Sequence, residues 1–469
     1  MSDRQIVIIG GGFTGTALAV HLARLGHAGL EVTIIEPRAQ LAQGVAYGTT
    51  DPAHRINVPA ARMQLSAAEE GDFDRWYRAS AAFQIDAKAL WQDGKVYPQR
   101  GQFGAYVAGK LAGALKTSAV RVTHIQDRAI ALQNGEVLTA SGRKYRADDV
   151  VLAVSHPPPA VPAKLQQALG GHPGLIANPW QSDALSQVAK DDRVAIIGSG
   201  LTMSDVVASL HRQGHRGSIV AFSRRGQLPR PNITGDFAPR PLDYQQPQAA
   251  TALGWLRRIR QEVRLAAAEQ QPWQLVLDDI RLNGQRLWQQ LSLSQQRSFL
   301  RHLRPWWDVH RYRIAPQVSA VLTRLLHSGH LQVLAASLQQ VAVDNDTVIL
   351  TLKRRGQAQA DSVQVDRLIV TTGPAHGALL SSNPLLQQLA TEGLIKADPL
   401  ALGIAVDAHS RTLNRHDQSN PHLYVVGPAA RGRFGELMGL PQVAEHAESL
   451  AQQLLGIVSP SDGERCPPS

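Results

Sequence analysis

The stretch "QIVIIGGGFTGTALAVHLARL", Gln5 to Leu25, decides the fold of this chain. It begins as a short β-branched strand, turns at a glycine-rich GxGxxG motif and continues as an apolar helix. Glycines in such a turn let the backbone bend sharply and let a pyrophosphate approach the helix N-terminus, where free N–H groups favour an anion. The stretch therefore predicts a Rossmann-like dinucleotide-binding fold. We assign to cofactor binding the motif residues Gly10, Gly12, Phe13, Thr14 and Gly15.

A second strand, "EVTIIEP", follows this helix and ends at Glu36. An acidic residue about 20 residues beyond the glycine turn is typical of a group that hydrogen-bonds ribose hydroxyls. The Glu36 carboxylate would repel a 2′-phosphate, so this first site is predicted to bind FAD or NAD and not NADP. Pro37 and Ala129 complete the cofactor-binding residues that we assign to this half.

The stretch "RVAIIGSGLTMSDVVASL", Arg193 to Leu210, repeats the strand, turn and helix pattern. Its third glycine is replaced by methionine, which predicts looser packing of helix on strand. The next strand, "GSIVAFSRRG", carries Arg224 and Arg225 where the first half has its glutamate. Paired guanidiniums suit a 2′-phosphate, so this site is predicted to bind NADPH. The alternative is two solvated arginines in a turn. The cofactor-binding residues assigned here are Gly198, Gly200, Thr202, Met203, Arg224 and Arg225.

The two halves share a further layout. The apolar strands "DDVVLAVSHPPP" and "VDRLIVTTGPAH" each follow a β-rich stretch with alternating polarity. We predict an α/β fold with two three-layer Rossmann-like domains, each a parallel sheet with a β-meander inserted before its last strand. Amphipathic helical patterns over about 246–326 predict a helical insertion. The predicted FAD-binding domain is 1–165 with a return segment 375–457, the predicted NAD(P)H-binding domain is 166–374, and 458–469 is predicted to be a disordered tail.

The composition of the chain limits the classes of function that it can have. The chain has 469 residues, a formal net charge of +10 and one cysteine, Cys466. The single cysteine excludes disulfide frameworks and CxxC redox chemistry, and the spacing of the histidines predicts no metal site. No apolar run reaches the roughly 18 residues of a membrane span, so no membrane partner and a cytoplasmic location are predicted. The positive charge indicates either a basic surface or attraction to an anion.

Several segments together resemble a known family. They include "GVAYGTTDPAHRINVPAARM", "YPQRGQFGAYV", "SRRGQLPR" and "RPWWDVHRYR". With the two glycine motifs, they make nearly the whole chain resemble flavoproteins with two dinucleotide-binding domains. The chain is most similar to the bacterial FAD/NAD(P)-binding family related to flavin-dependent N-hydroxylating monooxygenases of the aspartate type. The chain departs from such flavoproteins at Gly427-Pro428, where they carry Gly-Asp. The resemblance implies that Gly427 and a helix starting near Pro441 face the flavin.

This resemblance implies an oxidoreductase with FAD and NADPH as cofactors. It favours a monooxygenase that hydroxylates a small amino-acid or acidic substrate with molecular oxygen through a peroxyflavin. A flavin reductase or dehydrogenase of a small organic molecule is the alternative, because hydride transfer to the flavin serves both reactions. A nucleotide-binding redox sensor and an RNA-associated flavoprotein are further alternatives. The basic cluster contains no RNA-binding motif that we identify, so nucleic acid is not the predicted partner.

Catalytic candidates come from two places. Asn57, in the loop "INVPA", matches by position the family loop that passes the flavin ring, although an Asn that caps a turn is the alternative. Arg304, Trp307 and Arg311 share one face of a predicted helix. That face is predicted to hold a carboxylate substrate or nucleotide phosphates. The alternative is a buried helix with a tryptophan core and Asp308 paired to a nearby arginine.

Overall fold

The computed structural model describes residues 4–154, 156–157, 159, 161–181, 183–244, 249–373 and 376–457. The strands of this part are β1 Arg4–Ile9, β2 Leu30–Ile35, β3 Arg121–Ile125, β4 Ala129–Gln133, β5 Glu136–Thr139, β6 Lys144–Arg146, β7 Asp149–Leu152, β8 Leu175–Ile176, β9 Val194–Ile197, β10 Ile219–Ser223, β11 Leu331–Asp344, β12 Thr347–Arg354, β13 Ala360–Val365, β14 Arg367–Val370, β15 Arg411–Leu413 and β16 Ser419–Val425.

The α-helices of the same part follow in chain order. They are α1 Phe13–Leu25, α2 Gly44–Tyr47, α3 Asp72–Arg78, α4 Ala81–Ile85, α5 Arg100–Leu115, α6 Ala163–Leu169, α7 Leu201–Arg212, α8 Ala252–Ala268, α9 Trp273–Leu282, α10 Gly284–Gln290, α11 Leu293–His302, α12 Arg304–Arg311, α13 Pro316–His327, α14 Pro384–Glu392, α15 Arg431–Phe434 and α16 Gln442–Leu454. None of these helices is both long enough and apolar enough to cross a membrane.

The first sheet has the strand order β15-β16-β7-β1-β2-β3. Strand β1 lies in its middle, parallel to both β2 and β7, and its central residues are fully buried because helices cover the sheet. Strand β16 comes from the end of the chain and pairs with β7 in parallel, with Leu423 opposite Val150. The N-terminal and C-terminal segments therefore build one sheet, which supports our proposal of a discontinuous first domain.

The second sheet has the order β13-β12-β11-β10-β9-β14-β8. Its parallel part is β11-β10-β9-β14-β8. Strand β11 is long enough for two tasks: residues 331–335 pair with β10 in parallel, and residues 336–344 begin an antiparallel meander with β12 and β13. In the first half the meander β4-β5-β6 is a separate sheet. The predicted fold class, with its two Rossmann-like sheets and their meanders, is confirmed.

The predicted helical insertion corresponds to helices α8 to α13. A small apolar core, centred on Trp255, Val276 and Ile280, joins α8, α9, α10 and α12, whereas α13 packs with Val318 and Leu322 in the main core. The insertion start at residue 246, the boundary at 374–375 and the tail 458–469 with Cys466 lie outside the described residues. The domain boundaries stay our proposal for how the chain is divided.

Candidate cofactor and substrate site

The three motif glycines of the first turn differ in what a side chain at their position would meet. Gly10 has φ +109°, and a Cβ there would lie 2.4 Å from the carbonyl oxygen of Ala153. A Cβ on Gly15 would lie 1.9 Å from the carbonyl oxygen of Gly10. At Gly12, however, a Cβ would meet only the Cα of Gly44, at an ordinary 3.5 Å. The protein itself does not require glycine at position 12, so the open space there fits a ligand that approaches closely.

The N-terminus of α1 is prepared for an anion. No side chain caps it, and its first turn contains no acidic residue. Its first N–H groups, including those of Phe13 and Thr14, have no partner within the helix and are available to a pyrophosphate. These features fit FAD.

Glu36 lies at the edge of this turn. Its buried carboxylate accepts hydrogen bonds from the Gly11 N–H at 2.9 Å and from the Arg38 N–H at 3.0 Å. Oε1 also accepts a hydrogen bond from the Arg38 guanidinium at 3.1 Å, so the remaining lone pair for a ribose hydroxyl is on Oε2. Pro37 follows on the surface, and Ala129 opens β4 and is buried. The assignment of these residues to cofactor binding is a proposal that the geometry supports.

The C-terminal segment returns to the first glycine turn. Gly427 has φ +85°, and a Cβ there would lie 2.8 Å from Cγ2 of Thr14. Its N–H donates to Nδ1 of His446 at 3.1 Å. Burial lowers the pKa of His446 to about 4, so the ring is neutral at pH 7 and donates from Nε2 to Oγ of Ser410. Helix α16 has Pro441 at its N-cap, without a side-chain cap. At Gly427-Pro428 the chain therefore offers backbone groups and no carboxylate to a cofactor.

The second glycine turn repeats the open geometry. Gly198 has φ +113°, whereas a Cβ on Gly200 would meet nothing within 4 Å. The N-terminus of α7 also has no side-chain cap and no acidic first turn. Thr202 is half-buried in that first turn, and Met203 is fully buried at the position that Gly15 has in the first site. This turn therefore fits a second dinucleotide.

The arginine pair lies beside the second turn. Oγ of Ser199 lies 2.7 Å from Oγ of Ser223 and donates to the carbonyl oxygen of Gln227 at 2.6 Å, which ties the glycine turn to the 223–227 segment. Arg224 is exposed, and the Arg225 guanidinium lies 5.7 Å from the ring centroid of Trp306. In the described part of the chain, no carboxylate forms an ion pair with either arginine. Both guanidiniums are therefore free to bind a phosphate.

Asn57 lies where the two halves meet. Its Oδ1 accepts a hydrogen bond from Arg100 at 3.2 Å, and its carbonyl oxygen accepts one from the Asn232 side chain at 2.6 Å. Arg100 also forms a buried ion pair with Asp205 of α7 at 2.8 Å. The sequence contains no local signal for this network, since its members are far apart along the chain. A role of Asn57 toward the flavin ring stays a proposal.

The predicted substrate face on α12 is only partly assembled. Arg304 and Trp307 line a cavity of about 840 Å³. Nε of Arg304 lies 3.4 Å from Oδ2 of Asp308. This is the ion pair expected if α12 is a buried structural helix and not a substrate-binding one. Arg311 is not among the cavity-lining residues; it is buried and pairs through Nε with Glu436 at 2.5 Å. The structure thus brings Arg304 and Trp307 together and turns Arg311 toward the return segment.

The cavity is also lined by residues that no sequence pattern indicated. Those from the return segment include Leu402, Arg431, Glu436 and Met438. They lie at least 91 positions after the end of α12 at Arg311, so no spacing rule could associate them with the insertion. Among the described residues, no group of three or more His, Cys, Asp or Glu side chains is placed to hold a metal ion.

Two family models match parts of the chain. Residues 7–157 match the FAD-NAD(P)-binding family, and residues 91–240 match the L-lysine 6-monooxygenase/L-ornithine 5-monooxygenase family. These matches confirm the prediction of an oxidoreductase that uses FAD and NAD(P)H. A comparison with curated protein sequences gives no significant match.

Several solved structures share the fold over almost their whole length. Ornithine hydroxylase from Pseudomonas aeruginosa has a TM-score of 0.63 at 15% identity, over 97% of this chain and 99% of that chain. L-lysine 6-monooxygenase from Pseudomonas syringae has a TM-score of 0.60 at 16% identity, over 98% and 100%. A cadaverine monooxygenase from Erwinia amylovora has a TM-score of 0.61 at 13% identity, over 96% and 94%.

Proposed function

We propose that this FAD- and NAD(P)H-dependent oxidoreductase is a monooxygenase that uses NADPH and molecular oxygen to hydroxylate a small amino-acid-like substrate. The observation that carries the proposal is the match of residues 91–240 to the lysine/ornithine monooxygenase family. That segment contains Arg100 beside Asn57, the second glycine turn and the arginine pair, so it covers the junction between the two cofactor sites. The shared fold of the ornithine, lysine and cadaverine enzymes supports the same reaction class.

The chain supplies position and electrostatics to this reaction. FAD, when bound, supplies two-electron oxidation of NADPH and activation of oxygen. The uncapped α1 and α7 termini hold the two pyrophosphates, Glu36 binds ribose, and Arg224 and Arg225 bind the 2′-phosphate. One substrate, one O₂, one NADPH and one proton give the hydroxylated substrate, NADP⁺ and water.

The finer substrate assignment rests on a shared chemical feature. Aspartate, ornithine, lysine and cadaverine all carry an amine that can be hydroxylated, and all but cadaverine carry a carboxylate that an arginine can hold. We therefore propose N-hydroxylation of a substrate that carries a carboxylate.

The test supplies the holoenzyme with NADPH, isotopically labelled O₂ and single amino acids, including aspartate, lysine, ornithine and phenylalanine. We expect the label in a hydroxylated amine, detected by mass spectrometry, and less hydrogen peroxide per NADPH when the true substrate is present. The same substrates without NADPH are the control. If organic substrates are reduced without oxygen and none gains the label, the reductase alternative holds and the proposal fails.

A further inference from the structure

The cavity in the helical insertion is large and mostly apolar. Its volume of about 840 Å³ lies in the upper part of the range, roughly 300–1,000 Å³, of small-molecule sites. Its walls include Trp255, Val263, Leu277, Leu287 and Phe299. A cavity of this size and character does not suit a short polar amino acid, because burying the polar groups of the ligand against apolar walls is unfavourable.

One buried cation lies at the return-segment side of this cavity. Arg431 is 5% exposed and lines the cavity, and its Nη1 lies 2.9 Å from Sδ of Met438. Its Nε and Nη2 are buried and have no hydrogen-bond acceptor among the described residues. These two donors form one edge of the guanidinium, the edge that binds both oxygens of a carboxylate in parallel. A buried cation with two unused donors is unfavourable unless a ligand completes it.

The carboxylates near Arg431 already have other partners. Asp308 pairs with Arg304, and Glu436 pairs with Arg311. Asp398 accepts hydrogen bonds from the backbone N–H groups of Leu400, Leu402 and Gly403. None of the three forms an ion pair with Arg431 within the described part of the chain. Among the residues that the structure describes, the Arg431 edge is therefore left without an acceptor.

This charged end lies close to the proposed flavin site. Arg431 lies four positions after Gly427, and Gly427 packs against Thr14 of the first glycine turn. Met438, which also lines the cavity, precedes the uncapped start of α16 at Pro441. A molecule held by Arg431 would thus lie between the apolar insertion and the segment that returns to the first glycine turn.

We propose that this cavity binds a carboxylate attached to a large apolar or aromatic body, with the carboxylate on the guanidinium of Arg431. The proposal rests on the proposed function and names its substrate class: a hydrophobic acid that carries the amine to be hydroxylated. Trp255, Leu277 and Leu287 hold the apolar body. Arg431 is a binding residue for the substrate.

The test measures binding to the oxidised holoenzyme by isothermal titration calorimetry, without NADPH. The probes are 4-phenylbutyrate, the neutral 4-phenylbutanamide, the cation 4-phenylbutylamine and the short acid butyrate. We expect 4-phenylbutyrate to bind most tightly, and Arg431→Gln to weaken it about ten- to hundredfold while leaving the amide unchanged, since a charge-assisted bidentate contact is lost. Arg431→Lys, which keeps the charge without the planar edge, should lie between the two.

Arg301→Gln is the matched control, because it removes an exposed arginine of the same insertion that does not line the cavity. It should keep the wild-type affinity. Leu291→Trp fills the cavity and should weaken 4-phenylbutyrate about tenfold, since the phenyl ring no longer finds room.

Three results would overturn the inference. They are equal binding of the acid and the amine, unchanged affinity in Arg431→Gln, and loss of bound flavin from Arg431→Gln and Arg431→Lys, which would assign the arginine to the cofactor. The titrations measure binding without turnover. A protein that hydroxylates an amine but does not bind 4-phenylbutyrate would therefore refute only this inference. Binding without any hydroxylation refutes only the proposed function.

Discussion

Replacing Arg224 and Arg225 by alanine should remove the preference for NADPH. The structure ties their turn to the second glycine motif through Ser199 and leaves both guanidiniums without a carboxylate partner in the described part of the chain. A charge-assisted contact to a phosphate contributes about 1.5–3 kcal/mol, or about one to two decades in affinity. The Michaelis constant for NADPH should therefore rise at least about tenfold, and that for NADH should barely change.

The two arginines should not contribute alike. Arg225 lies over Trp306 with 5.7 Å between guanidinium and ring centroid, and a planar guanidinium can stack on the ring, which an ammonium cannot. We expect Arg225→Lys to recover only part of the affinity that Arg225→Ala loses. Exposed Arg224 acts mainly through its charge, so Arg224→Lys should recover most of its contribution.

The assay is steady-state oxidation of NADPH and NADH by holoenzyme of equal flavin content. Lys190→Ala/Arg216→Ala is the matched control, because it removes two exposed cations next to the amino-terminal ends of β9 and β10. It should keep the wild-type preference. A wild type that prefers NADH, or a double variant that loses both nucleotides equally, would refute the charge argument, and the arginines would then serve the fold or another anion.

Gly12→Asp should fold but lose bound flavin, since its Cβ has room while its carboxylate would repel the pyrophosphate; Gly113→Asp on the open face of α5 should stay yellow, and a Gly12→Asp protein with full flavin content would refute the first site. Because burial lowers the pKa of His446 to about 4, protonation favours unfolding, so the free energy of unfolding should fall by about 1–3 kcal/mol as pH drops from about 6.5 to 4. His446→Gln should show a shallower pH dependence in urea denaturation, and equal slopes would count against this. Arg100→Met should destabilise by about 3–5 kcal/mol because it leaves Asp205 buried and unpaired, whereas Arg100→Met/Asp205→Leu should recover most of the loss; equal losses in urea denaturation would show that the pair is not coupled.

The sequence predicted those parts of the fold that have local signals. The glycine turns were predictable because Gly10 and Gly198 have a positive φ and meet a neighbouring backbone, so the pattern is a steric requirement. The arginine pair was predictable because it follows a strand directly. That the first meander forms a separate sheet was not predictable. In the second half, β11 is long enough to pair both with the main sheet and with the meander, and the polarity pattern of a strand does not show this difference.

The candidate substrate site was much less predictable. The helical spacing of Arg304, Trp307 and Arg311 was right, but it does not show which partner each side chain meets. Arg311 pairs with Glu436, 125 positions away, and this pairing takes it out of the cavity lining. Arg431 is not part of any motif in the sequence. Its proposed role follows from its burial and from the unused hydrogen-bond donors Nε and Nη2, which only the tertiary structure shows.

We propose that this one chain holds a resident FAD in its first site and receives NADPH in its second. Stopped-flow mixing of the oxidised holoenzyme with NADPH under anaerobic conditions tests it most directly, with the flavin absorbance as the signal. We predict rapid bleaching whose rate saturates with NADPH and falls at limiting NADPH in Arg224→Ala/Arg225→Ala. A flavin that stays oxidised at saturating NADPH, in a protein that binds both nucleotides, would contradict the account.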